Sequence, residues 1–129
     1  MITMALRIDP NNPDYYISRA EVYLENQMYD KAINDCQKAI SINPKNPFAC
    51  NQLGAAYLHK GMIEKAVPQF QKAIELNPAW IPPYLNVAAI SEQKGDIERC
   101  LEMCKCVLKI DPNNPQAKQI MDRNLRFQK

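Results

Sequence analysis

Cys100, Cys104 and Cys106 stand close together in the chain, and residues four apart on a helix share a face, so Cys100 and Cys104 could in principle hold a soft metal ion or exchange a disulfide. A zinc site needs three or four ligands at defined spacing. The chain has no Cys-x-x-Cys pair, and its one histidine, His59, lies far from these thiols in sequence. His59 has the titration range of a general base, but no nucleophile stands in a recognisable motif beside it. There is no phosphate-cradling glycine loop, no nucleophile elbow and no HExxH pair. These residues point to a protein that is not an enzyme and that uses no cofactor and no metal.

The remaining thiols fit that reading. Five cysteines, Cys36 and Cys50 with the three above, are an odd number with no secretory signal ahead of them. That pattern suits reduced thiols in a reducing compartment, so a cytoplasmic location is expected. Hydrophobic residues make up 47% and charged residues 23% of 129 residues, which is enough apolar material for one packed domain and not for a catalytic domain besides. Sixteen basic against fourteen acidic side chains leave a net charge of +2, too even for a nucleic-acid or anionic-membrane footprint. No apolar run approaches the roughly 20 residues of a membrane span.

The elements that carry these residues repeat. Pro10, Pro44, Pro78 and Pro112 are each 34 residues apart, in the phrases Ile8-Asp9-Pro10, Ile42-Asn43-Pro44, Leu76-Asn77-Pro78 and Ile110-Asp111-Pro112. On the same period Ala20, Gly54 and Ala88 align, as do Ala32, Ala66 and Cys100, and Cys36, Phe70 and Cys104. Cys100 and Cys104 therefore fall in apolar slots of the repeat, where free cysteine behaves as a small hydrophobe. Apolar residues recur three and four apart, as in Ala66, Val67, Phe70, Ala73 and Ile74, which marks amphipathic helices. Two helices fit in each unit. Asn12-Pro13, Asn46-Pro47 and Asn114-Pro115 supply a cap and a first-turn proline, Gly61 and Gly95 supply the turn between helices, and Asp96 caps the helix after it. Pro68 falls early in a helix, where it removes one backbone bond.

The middle unit carries Cys50, Leu53, Gly54, Tyr57, Ala66, Phe70 and Pro78 at the spacing of the tetratricopeptide repeat, and lacks only the usual opening tryptophan. The chain resembles a tetratricopeptide repeat protein. Arg19, Ala20 and Gln27 in the first unit, and Ser91, Cys100 and Val107 in the third, depart from the pattern. The resemblance implies an all-α fold, an α-α superhelix in which antiparallel helix pairs stack as a right-handed solenoid. Residues 13–46, 47–80 and 81–114 would be the repeats, residues 1–12 the tail of a preceding one, and 115–129 a capping helix. Ile120, Met121 and Leu125 are expected to be its covering face, over Val107 and Leu108 of the third unit.

The resemblance also implies a function, since the first helix of each repeat lines a concave groove that grips a segment of another protein. Its groove places carry Ile17, Glu21, Leu24 and Glu25 in the first unit. They carry Phe48, Asn51, Gln52, Leu58 and His59 in the second, and Leu85 and Asn86 in the third. With Asp14, Glu21 and Glu25 at one end and apolar or amide side chains elsewhere, the expected partner is an extended or helical peptide segment with a basic end and apolar anchors. The clamp that some relatives use against the acidic C-terminus of heat-shock chaperones is missing. Its lysine and arginine places hold Ile17, Pro82 and Asn86, with Glu21 and Gln52 at its asparagine places, or, one unit on, Asn51, Gln116 and Ile120, with Ala55 and Asn86 at the asparagine places. A co-chaperone or adaptor of that kind is therefore the lesser reading. A purely architectural stretch of a longer solenoid, with contacts and self-association through its ends, is the other alternative.

Overall fold

The computed structural model describes residues 10–126. They form helices α1 (Pro13–Glu25), α2 (Tyr29–Ile42), α3 (Pro47–His59), α4 (Ile63–Leu76), α5 (Pro82–Lys94), α6 (Ile97–Ile110) and α7 (Pro115–Leu125), with no strand among the described residues. The fold is all-α, with consecutive helices packed in pairs. Two compact units divide between Leu76 and Asn77: α1 to α4 lie in the first, α5 to α7 in the second. Most of the residues read as the tail of a preceding repeat, 1–9 of 1–12, lie outside the described residues.

Helix starts follow from local chemistry. The side-chain oxygen of Asn12 accepts from the Asp14 N–H at 3.0 Å, that of Asn46 from Phe48 at 2.9 Å, and that of Asn114 from Ala117 at 3.0 Å. Each satisfies a donor that the first turn leaves unpaired, and the proline that follows the cap has no N–H to lose. Asp96 caps α6 through the Arg99 N–H at 3.2 Å. Helices α2 and α5 lack such a cap, because Met28 and Ile81 precede them and make no side-chain cap hydrogen bond. A second device recurs 68 residues apart: the Tyr16 hydroxyl donates to the Pro10 carbonyl and the Tyr84 hydroxyl to the Pro78 carbonyl, both at 2.7 Å. It ties each of these first helices to the loop that leads into it.

The ends of the first helices also share one solution. The N–H of Met28 returns to the Tyr23 carbonyl at 2.8 Å, Met62 to Tyr57 at 2.8 Å, and Asp96 to Ser91 at 2.9 Å. Such a reversal needs one residue with positive φ just before the returning N–H. Gly61 and Gly95 take it at 79°, and in the first unit Gln27 takes it at 61°. Gln27 is the one non-glycine residue with positive φ among the described residues.

The first unit is built around small residues under large ones. Ala20, Ala32, Cys36, Leu53 and Ala56 are buried together, with Tyr23, Leu24, Ile33, Ile40 and Tyr57 packed around them. Gly54 lies under the fully buried ring of Phe70, so that a Cβ there would stand 2.7 Å from Phe70 Cε1. Arg19, at the place where the later helix pairs have the buried Leu53 and Val87, is accommodated by charge. Its guanidinium donates twice to the Asp35 carboxylate, at 2.8 and 2.7 Å, and lies within 6 Å of both the Tyr16 and Tyr23 rings, at 5.9 and 5.6 Å. Asp35 is thereby buried with its charge satisfied. Helix α4 continues through Pro68, whose ring stands at the surface.

In the second unit Val87, Ala88, Cys100, Cys104 and Val107 are buried. Burial pushes the Cys104 thiol up to about 12, as it does Cys36 in the first unit, and raises Cys50 and Cys100 as well. These thiols stay protonated and act as core atoms. Helix α7 packs on α6, but not by the face expected. Ala117 and Asn124 are its buried residues, Ile120 and Met121 are half-buried, and Leu125 is 42% exposed. The cause is polar. Asn124 donates to the Ile120 carbonyl at 2.7 Å and to Glu92 at 2.6 Å, which turns that side of α7 inward and Leu125 outward.

Two stability outcomes follow from these contacts. Overpacking by Gly54→Ala should cost roughly 1–3 kcal/mol, more than the ~1 kcal/mol of helix propensity it gains. Urea melts should show a net loss, and adding Phe70→Leu should return part of it. Conversely, Gln27→Gly removes left-handed strain worth about 1–2 kcal/mol against an unfolded-state entropy cost of ~0.5–1 kcal/mol, so thermal melts should show equal or greater stability.

Candidate peptide-binding surface

The side chains read as groove-lining divide by helix. On α1, Glu21 and Glu25 are exposed, while Ile17 and Leu24 are half-buried and Leu24 rests on the core of the first unit. Asp14 and Ser18, on the same helix, are exposed as well. The apolar pair therefore sits low between carboxylates, which gives this stretch of α1 an acidic surface over a partly apolar floor.

On α3 the arrangement is different. Phe48 is 48% exposed, the largest exposure among the large hydrophobic side chains of the described residues. One turn on, Gln52 is half-buried, and its carbonyl oxygen Oε1 is buried with no hydrogen-bond partner among the described residues. Residues four apart stand on one face of a helix, so an aromatic surface and an unsatisfied acceptor lie side by side. Asn51 and Leu58 are half-buried on the same helix. His59, at its end, is exposed but not bare: its ring stacks on Tyr29 of α2, with centroids 5.3 Å apart and planes 6° from parallel.

In the second unit Leu85 and Asn86 are half-buried on α5, and Ala89 is exposed beyond them. Glu92, one turn further, is engaged within the protein. It accepts from Arg123 Nε and Nη2, both at 2.8 Å, and from Asn124 Nδ2 at 2.6 Å. The Arg123 guanidinium beside it, with help from Asn124, holds the Glu92 carboxyl below the usual carboxylate range. The spacing of the repeat gives no sign of this clasp. Arg123 and Asn124 gave no local signal, because their partner lies 31 and 32 residues away on another helix.

The tetratricopeptide repeat family profile matches residues 13–46 and 47–79, and the chain belongs to that family of protein-interaction repeats. Solved structures agree on the fold. A crystal structure of MamA matches with a TM-score of 0.86 at 20% identity, over 98% of this chain and 74% of that one. The first repeat domain of Spaghetti (RPAP3), bound to the HSP90 peptide SRMEEVD, matches at 0.84 and 21% identity, over 92% and 94%. The Arabidopsis OM64 repeat domain matches at 0.83 and 19%, over 89% and 95%. A comparison with curated proteins gives no match. No helix of the described residues is long and apolar enough to cross a membrane.

The clasp gives a pH signature with a definite sign. Because the folded-state value of Glu92 is lowered, its contribution is fully present above the unfolded carboxylate range and is lost as pH falls through and below it. Glu92→Gln should lower the melting temperature at neutral pH and flatten the fall in stability on acidification. Melts over a pH series check this, and a fall as steep as in the unaltered chain would show that other carboxylates carry it.

Proposed function

We propose that the protein is an interaction scaffold that holds a peptide segment of another protein against its first helices, in three repeats, 13–46, 47–80 and 81–114, followed by a capping helix over 115–129. The observation that carries this reading is the pairing on α3 of exposed Phe48 with the buried, unpaired Oε1 of Gln52. A buried acceptor without a partner costs about 1–3 kcal/mol, so a turn of the Gln52 amide toward a bound segment, to accept one of its backbone N–H groups, is favoured while Phe48 takes an apolar side chain. Glu21 and Glu25 add the charge that sets direction. Ile17, Leu24, Asn51, Leu58 and His59 are proposed to complete the contacts of the first compact unit, and Leu85 and Asn86 on α5 are proposed as contact residues of the second.

Spaghetti binds a peptide that carries two glutamates and an aspartate. The cation places of such a clamp here hold Ile17, Pro82 and Asn86, and Glu21 stands at an asparagine place, so the proposed ligand has the opposite charge. Opposite charge steers association, and apolar anchors slow dissociation. The five unpaired cysteines suit a reducing compartment, and we place the protein in the cytoplasm.

A displayed peptide library is the direct test. The expected selection is for peptides with Lys or Arg toward one end and bulky apolar residues beyond it. For such a peptide, changing Glu21 and Glu25 together to Gln should slow association and weaken its salt dependence. Phe48→Ala should speed dissociation, at a cost of roughly 1–3 kcal/mol, the range of a moderate anchor. Enrichment of acidic peptides whose binding is lost with Phe48→Ala, or an on-rate untouched by the double change, would contradict the reading.

A further inference from the structure

Beyond His59, at the end of the surface just described, the turn between α1 and α2 borders a cleft of about 310 Å3 lined by Gln27, Met28, Tyr29, Asp30, Lys31 and Lys60. Its composition is mixed in an ordered way. Met28 is 39% exposed, and Tyr29 is braced from behind by the parallel His59 ring. Around them stand two ammonium groups and one carboxylate, with Lys60 paired to Asp30 and Lys31 5.9 Å from the Tyr23 ring. Apolar surface is thus surrounded by a rim with one positive charge in excess.

Gln27 sets this cleft apart from the corresponding turns of the later helix pairs. Those turns have Gly61 and Gly95 at the left-handed position, and a Cβ built on either would meet nothing within 4 Å. Space for a side chain therefore exists at all three turns, while the backbone conformation disfavours one. Only the turn between α1 and α2 carries a side chain there, against the local backbone preference, and that side chain is an amide lining the cleft. An amide offers both a donor and an acceptor to a passing backbone. Strain retained at a cavity wall is the kind of feature that marks a binding position.

We propose that this cleft is a second docking site, for an extended segment of a partner protein that places an apolar side chain on Met28 and Tyr29 and a carboxylate within reach of Lys31 and Lys60. Gln27 hydrogen-bonds the backbone of that segment. The charge excess selects an acidic segment, opposite in sign to the ligand proposed for α1 and α3, so the two surfaces of this unit sort ligands by charge. A basic segment would be repelled by both ammonium groups and drawn only to a carboxylate already engaged by Lys60.

The test uses the full chain, labelled with 15N, and two short N-acetylated, C-amidated peptides that differ in one residue, with Glu or Lys beside two Leu. The acidic peptide should shift the amide signals of Met28, Tyr29 and Lys60, and the basic one should leave them in place. Gln27→Gly should weaken the acidic peptide about three- to tenfold, the loss of one net hydrogen bond, without lowering the melting temperature. A Lys31→Glu chain should lose the preference between the two peptides. Equal shifts from both peptides, shifts confined to Ile17, Phe48 and Leu58, or unchanged affinity in the Gln27→Gly chain would overturn the proposal.

Discussion

Phe70 and Gly54 meet across the interior of the first unit so closely that no Cβ fits between the ring and the α3 backbone. Helices can approach to that distance only where one of them presents no side chain, and the approach decides which other positions are covered. With α4 held this near, Leu53 and Ala56 on α3 are sealed as well. What stays outside on α3 is a strip containing Phe48, Asn51 and Gln52. The candidate binding strip is therefore the remainder of a packing constraint: the face of the helix that the close contact does not use.

Polar groups do comparable work where the apolar pattern lapses. Arg19 would be an error in a position that is Leu53 or Val87 elsewhere, but Asp35 and two tyrosine rings give its charge a complete environment. Such a pair is of little net value against an apolar isostere, and breaking it is costly, so it fixes how α1 and α2 meet more than it strengthens them. At the other end of the chain Glu92 gathers Arg123 and Asn124 and chooses which side of α7 turns inward. Both devices lie in the units that depart furthest from the repeat pattern.

The helix starts, the turns at Gly61 and Gly95, and the burial of Ala20, Gly54 and Ala88 were legible in the sequence, because each is fixed by residues within one unit and stated again 34 positions later. Cys100 and Cys104 could be assigned to the core on the same ground. The inward face of α7 was not legible. Periodicity put Leu125 inside, whereas a carboxylate on α5 draws in Asn124, and no spacing rule anticipates a contact of that range. The positive φ of Gln27 was hidden too, since glutamine gives no turn signal and only comparison with Gly61 and Gly95 exposes it. The acidic stretch of α1 was readable as composition. That Gln52 would bury an unpaired oxygen beside exposed Phe48 could not be read, because it depends on how far α3 sinks into its unit.

The central claim is that a peptide segment with a basic end docks on the first helix of each pair and not on the second. Amide hydrogen exchange, followed residue by residue with and without a saturating library-selected peptide, reads this directly, because bound segments slow local opening where they dock. Slowed exchange in α1 and α3, centred on Ile17 and Phe48, with α2 and α4 unchanged, is the result expected. Protection confined to α2 and α4, or spread evenly over every helix, would contradict the claim.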